Sequence, residues 1–170
     1  MKKILIFLTS TLVFAQTDNT PPVIKSITFE PATINTKESS AQTLIKAVAN
    51  DDISGVNRVY IAFQSPSQNN TIGTNLYARD QDQIDSNGDR HLEATSSTFP
   101  QYAEAGDWLV NYVQVVDKVG NKIAFDSRDK VVEKFGDLKI HVISITDNTA
   151  PNLKSITFEP ATINTKESSA

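Results

Sequence analysis

Apolar and polar residues alternate with a period of two along most of this chain, the pattern of strands with one buried face. Val23–Glu30 (VIKSITFE) puts Ile27 and Phe29 on one face, and Pro31 ends the pairing because it has no backbone N–H to donate. Thr43–Ala49 (TLIKAVA) reads as a second strand that runs into the turn formers Asn50-Asp51-Asp52 and Ser54-Gly55. Val56–Gln64 (VNRVYIAFQ) aligns Val59, Ile61 and Phe63 toward a core. Ile72–Arg79 is read as a fourth strand, Asp80–Asp89 as a polar turn, and His91–Phe99 as a strand pairing back across it. Asp107–Asp117 (DWLVNYVQVVD) is the clearest strand. Leu109, Val113 and Val115 line one face and Trp108, Val110, Tyr112 and Val116 the other, so it is expected to be covered on both sides or to touch a neighbouring module. Asp117–Asn121 is a hairpin signal leading into Lys122–Phe125. Ser127–Phe135 is the one helical-looking stretch, with Gly136 as its stop, and Leu138–Ile145 is the last strand. About seven or eight short strands and one short helix near 127–135 predict an all-β sandwich with Greek-key connections.

Residues 146–170 are a near copy of residues 17–41, matching at 22 of 25 positions. The differences are Pro21/Ala150, Val23/Asn152 and Ile24/Leu153, at an offset of 129. A self-similarity at fixed spacing marks a modular array. The expected organisation is a leader at 1–15, a linker at 16–22, one full domain at 23–145, and at 146–170 a linker with the start of a second repeat. Those last residues carry the first strand of a module without its pairing partner, and are expected to pack poorly.

The leader assignment rests on Lys2 and Lys3, the apolar run ILIFLTSTLVF, and a cleavage site at Val13-Phe14-Ala15. This is the order of a secretory signal peptide, with an apolar run too short to span a bilayer. The protein is thus expected to be secreted or displayed at the cell surface, with the periplasm as a further compartment. Without the two leader lysines the formal charge of −4 becomes −6. An acidic chain lacks the basic patches that nucleic acid and anionic membranes select, so neither is expected as a partner. Cysteine is absent, so the exported fold stands on its core without disulfides.

Several runs together resemble the bacterial immunoglobulin-like tandem repeat domains of secreted and surface proteins. They are the DNTPP opening (Asp18–Pro22), NDDISGV (Asn50–Val56), VYIAFQSPS (Val59–Ser67), FPQYAEAGDW (Phe99–Trp108) and VVDKVGN (Val115–Asn121). The resemblance covers the whole module and implies an Ig-like sandwich, tandem arrangement and extracellular exposure. There is no cysteine pair, and Trp108 lies late in the module rather than on the third strand, so antigen-type recognition does not carry over.

Two carboxylate groups are candidates for a hard cation such as Ca2+, which takes six to eight oxygen ligands. The first is Asp80, Asp82, Asp85, Asn87 and Asp89, with Glu93 nearby. Counted from Asp85 it fails the EF-hand pattern, since Arg90 stands where glycine is needed and Ser96 where the closing glutamate belongs. The plainer account is a solvated hairpin turn bent at Ser86-Asn87-Gly88. The second is Asp51, Asp52 and Asp117 at strand ends with Asp18 and Asp147 in the linkers, placed as cadherin-like tandem domains place junction carboxylates. Its plainer account is loop closure through side chain–backbone hydrogen bonds.

Enzyme signals are poor. His91 and His141 lack the spacing of a zinc site, no motif frames a nucleophilic serine, and there is no glycine-rich phosphate loop. Tyr60, Tyr77, Tyr102, Tyr112 and Trp108 offer a sugar-stacking platform, with core or edge packing as the commoner fate of such residues. The leading expectation is a non-catalytic spacer or adhesion module whose partners are neighbouring repeats, with a surface glycan or protein as a further partner. The rival is an accessory carbohydrate- or protein-binding domain of an exported hydrolase; a third reading makes the module the stalk of an enzyme.

Overall fold

The computed structural model describes residues 17–145 and 150–159, so the leader and Asp147 lie outside the described residues. Nine strands and one helix follow in chain order among them: β1 Val23–Glu30, β2 Thr33–Asn35, β3 Leu44–Asn50, β4 Val56–Gln64, β5 Thr71–Tyr77, β6 Arg90–Thr95, β7 Gly106–Asp117, β8 Lys122–Phe125, α1 Arg128–Phe135 and β9 Lys139–Ile143. They form two sheets, one ordered β1-β3-β6 and the other β2-β9-β7-β4-β5 with β8 also on β7. The fold is all-β with one short helix, as the alternation predicts. β2 was not foreseen, because three residues with one apolar side chain, Ile34, are too short to show a period; it runs parallel to β9.

A single core lies between the sheets. Ile24, Ile27, Ile45, Ala47 and Leu92 come from the smaller sheet, and Val59, Ile61, Phe63, Leu76, Val113 and Val115 from the larger. An edge-to-face chain of rings runs through it, Phe29–Phe63–Phe99–Trp108, with centroids 5.2, 6.0 and 5.2 Å apart. The buried indole N–H of Trp108 donates to the Glu104 carbonyl at 2.9 Å, which removes the cost of leaving it unpaired.

Two expectations are corrected. β6 does not pair back across the Asp80–Asp89 loop onto β5; it pairs antiparallel with β3, from Leu44↔Thr95 to Ala49↔Arg90. The loop instead carries the chain from one sheet to the other, which gives β3 a second partner and sets Leu92 in the core. Nor is β7 apolar on two faces for the reason expected. Its register on β4 slips between Ala62↔Tyr112 and Phe63↔Val110, leaving Asn111 as a bulge. The extra residue shifts the phase of the alternation, so Trp108 and Val110 point inward together with Val113 and Val115.

β7 meets β8 over Val113–Val116 and β9 over Gly106–Leu109, which leaves a gap along its edge between them. Helix α1 sits against this edge. Ser127 caps its start and Gly136 (φ 79°) ends it, Val131 is fully buried, and Phe125 and Phe135 stack edge to face at 5.2 Å. Arg128 donates to the carbonyls of Val110 (2.9 Å) and Leu138 (3.1 Å) and pairs with Asp137, so backbone acceptors along the gap are satisfied.

Residues 150–159 show the power of context. Ile27 in β1 is 5% exposed, whereas its twin Ile156 is 62% exposed and lies outside any strand. Ile27→Ala is expected to cost about 2–5 kcal/mol in a denaturant titration, the range for truncating a buried aliphatic. Ile156→Ala should leave the midpoint unchanged; equal effects would contradict the packing described.

Asp107 on β7 pairs with Lys139 (2.8 Å) and His141 Nδ1 (2.7 Å) on β9. Lys139 first and then His141 hold the Asp107 carboxyl below its ordinary value, and Asp107 first and then Asp137 raise the Lys139 ammonium above its own. The contribution of Asp107 is therefore complete above the ordinary aspartate value of about 3.9 and fades as pH falls through the depressed folded value. That of Lys139 is complete below about 10.4 and fades as pH rises through the raised one. Asp107→Asn should lower the melting temperature slightly at neutral pH, and the difference should close in strong acid. A difference independent of pH would refute the assignment.

Candidate cation site at the linker

The second carboxylate group of the sequence converges in part. The β1–β3 register sets Val23 opposite Asn50, so the linker before β1 runs beside the loop after β3. The β4–β7 register sets Val56 opposite Asp117, bringing the end of β7 to the same loop. Asp18, Asp51 and Asp117 thereby present carboxylate oxygens that all lie within 4.8 Å of one another. Asp52 stays exposed and accepts from the Thr20 hydroxyl at 2.6 Å.

Each of the three closes a loop. Asp117, fully buried, accepts from the backbone N–H groups of Val119 (2.9 Å), Gly120 (2.6 Å) and Asn121 (2.8 Å) through Oδ1. The turn needs Gly120, whose φ of 101° is open to glycine and strained for other residues. Asp51 Oδ2 accepts from Gly55 N–H at 2.7 Å, and Asp18 accepts from Ser54 N–H (3.0 Å) and Thr20 N–H (3.1 Å). Hydrogen bonds from Ser54 first, then from Thr20, hold the Asp18 carboxyl below its ordinary value against the opposing effect of burial. Asn121 ties the parts together: its amide donates to Asp117 Oδ2 (2.7 Å) and to the Asp18 carbonyl (3.2 Å) and Oδ1 (3.4 Å).

These donors do not account for everything. Asp51 Oδ1 is buried with no hydrogen-bond partner, and among the described residues no Lys, Arg or His forms an ion pair with any of the three carboxylates. Two like charges at such a separation repel by roughly 3–4 kcal/mol in an effective dielectric of 20. All-oxygen donors suit a hard cation such as Ca2+ rather than zinc.

The first group is not brought together. Asp82 accepts from Arg79 N–H (2.7 Å) and faces Arg90 (3.5 Å), and Asp85 accepts from Asn87 N–H (2.8 Å) and Asp89 N–H (3.1 Å) and faces His91 (3.6 Å). Asp89 pairs with Lys25 at 2.6 Å, and Asp80 is exposed. Asn87 is exposed as well, and its carbonyl accepts from Asn50 at 3.4 Å. Each carboxylate that has a partner points to a different one, so no shared centre forms. The histidines lie apart on β6 and β9, each beside its own aspartate.

The aromatic platform is likewise split. Trp108 is 2% exposed in the core, Tyr77 and Tyr102 stand separately on the surface at 55% and 52%, and Tyr60 and Tyr112 form a half-buried pair on the outer sheet face. Asn121 and Ser54 were missed as linker clamps. The spacing of four between Asp117 and Asn121 in DKVGN was the available signal, but the contact of Asn121 with Asp18 spans 103 residues.

For the dissociation constants of 10⁻⁴–10⁻³ M typical of extracellular Ca2+ modules, 10 mM Ca2+ would stabilise the fold by about 1.4–2.7 kcal/mol. We expect a melting temperature several degrees higher in Ca2+ than in chelator, and loss of that difference in Asp51→Asn. Identical melting curves for the unsubstituted protein would rule the cation out and leave loop closure as the sole role.

No helix among the described residues is long and apolar enough to cross a membrane. No protein-family model matches this chain, and no curated protein matches it.

Proposed function

We propose that residues 23–145 are a non-catalytic immunoglobulin-like module of an exported or surface-displayed protein, serving as a spacer or adhesion element in a tandem array. The strand orders support the family reading: β1-β3-β6 corresponds to the A-B-E order of an Ig sandwich, and β9-β7-β4-β5 to G-F-C-C′. The leader-like N-terminus supports export.

The observation that carries the spacer role is the anchoring of the linker. Asp18 and Thr20 belong to the repeated segment, and both are held by loops of the module that follows them, through Ser54, Asn121 and Asp52. A free linker would let neighbouring modules swing independently. A linker fixed to one module, with Pro21 and Pro22 stiffening the remainder, transmits orientation along the array. Asp147, at the offset of 129 from Asp18, would play the same part for the next module.

A protein with two complete copies of the 129-residue unit tests this. Small-angle scattering and NMR relaxation should report an extended, jointly tumbling pair, and Asp18→Ala with Asn121→Ala should widen the range of bend angles while each module stays folded. Independent tumbling of the unsubstituted pair would sink the spacer mechanism.

A further inference from the structure

Alternation along β4 sends Val59, Ile61 and Phe63 into the core and Arg58, Tyr60, Ala62 and Gln64 outward. The registers set Tyr60 between Asn75 and Gln114, and Ala62 between Gly73 and Tyr112. Two of the smallest side chains thus lie side by side in the middle of an outer sheet face. Glycine in a strand commonly marks a close approach to the backbone, made over Gly73 by the Tyr60 phenol, whose placement leaves Ala62 at the floor of the face. Around them Tyr60 and Tyr112 meet at 5.9 Å and 64°, bordering an open depression of about 500 Å³.

The chemistry of the lining is selective. Charged residues make up 21% of the chain, yet this depression has one, Arg58, and no carboxylate. The guanidinium is already engaged, donating to Asn75 Oδ1 (2.9 Å) and Gln114 Oε1 (3.0 Å), so it frames the site rather than offering a free charge to an anion. Gln114 in turn donates to the Tyr112 hydroxyl at 2.9 Å, so that oxygen accepts here and its own proton is not used in this bond. Asn111, displaced by the β7 bulge, donates to Gln64 Oε1 at 3.0 Å, while its own Oδ1 is buried with no partner. The Asn75 amide nitrogen and the Tyr60 hydroxyl make no hydrogen bond with the described residues.

Half-exposed rings beside neutral groups that both donate and accept do not suit an apolar partner, which would strand the amides, nor a polyanion, which would need free cations. They suit a ligand with C–H faces and many hydroxyls. We propose that this outer face of β5, β4 and β7 is a binding site for a neutral carbohydrate, with Tyr60 and Tyr112 as the stacking pair, the Asn75 amide nitrogen and the Tyr60 hydroxyl as the hydroxyl-reading groups, and Gln114 and Asn111 as the frame that holds them. The competing account is that Tyr60 merely covers Gly73, where a Cβ would collide with the phenol. That account concerns stability alone and predicts no ligand. The site is independent of the spacer role, since neither the linker nor Asp18 contributes to it.

The test uses the full chain on an array of neutral and acidic glycans, followed by titration of a neutral hit by calorimetry and by NMR of side-chain amides. The expected result is binding to a neutral glycan, little changed between low and physiological salt, with shifts of the Asn75 and Gln114 amide signals. Tyr112→Ala should weaken it at least tenfold and Asn75→Ala several-fold without unfolding. Tyr112→Phe, which keeps the ring, should retain most of the affinity, and Tyr102→Ala should change nothing. Failure to bind any neutral glycan, binding confined to acidic glycans with a steep salt dependence, or full affinity in Tyr112→Ala would each overturn the proposal.

Discussion

The pairing of β7 with β4, interrupted once by the bulge at Asn111, is the constraint on which the remaining arrangement depends. It brings Trp108 and Val110 into phase with Val113 and Val115, so one strand of twelve residues supplies core contacts along its whole length. The other edge of β7 is divided between β8 and β9, and α1 fills the gap with Val131 and the Arg128 bonds to backbone carbonyls. The end of the same strand delivers Asp117 to the linker. Its outer face delivers Tyr112 and Gln114 to the depression over Ala62. A slip of one residue in this register would turn the apolar set to solvent and disperse both sites together.

The linker and the outer sheet face differ in physical character. The linker site is a set of part-buried hydrogen bonds around carboxylates, fixed by two loops whose geometry depends on Gly55 and Gly120 at positive φ. The outer face is open and nearly uncharged, with part of its hydrogen-bonding capacity unused. We read the first as a device that fixes the linker and the second as a recognition surface.

Much of the fold was legible in the sequence because period-two alternation reports burial directly. β1 and β4 span the residues the pattern marks, and α1 begins one residue after its Ser127 cap and ends at Gly136. What escaped was non-local. β2 carries too little apolar surface to show itself, and the pairing of β6 with β3 rather than with its sequence neighbour β5 is a change of sheet that local alternation does not report. The Asn111 bulge made a one-sided strand look two-sided. At the linker the carboxylates were visible one by one, yet the Asn121 bridge to Asp18 closes only once both sheets have formed. The denser group around Asp85 attracted notice by its spacing alone, and local cations and turn N–H groups draw its members apart.

The near-identical segments 17–41 and 146–170 mark the division between the two levels. By itself the sequence determined the strand-forming alternation, the prolines before the first strand and the recurrence of the segment 17–41 at 146–170, since each follows from local residue chemistry. The sequence already marked the second copy as a first strand without its partner; tertiary structure decided what covers the first. Ile24, Ile27 and Phe29 are covered because β3 pairs with β1 and brings the opposing sheet over them. Leu153, Ile156 and Phe158 stand exposed where no strand pairs with residues 150–159 among the described residues. Burial belongs to a pair of surfaces rather than to a residue, so the same side chains carry different energies in the two places.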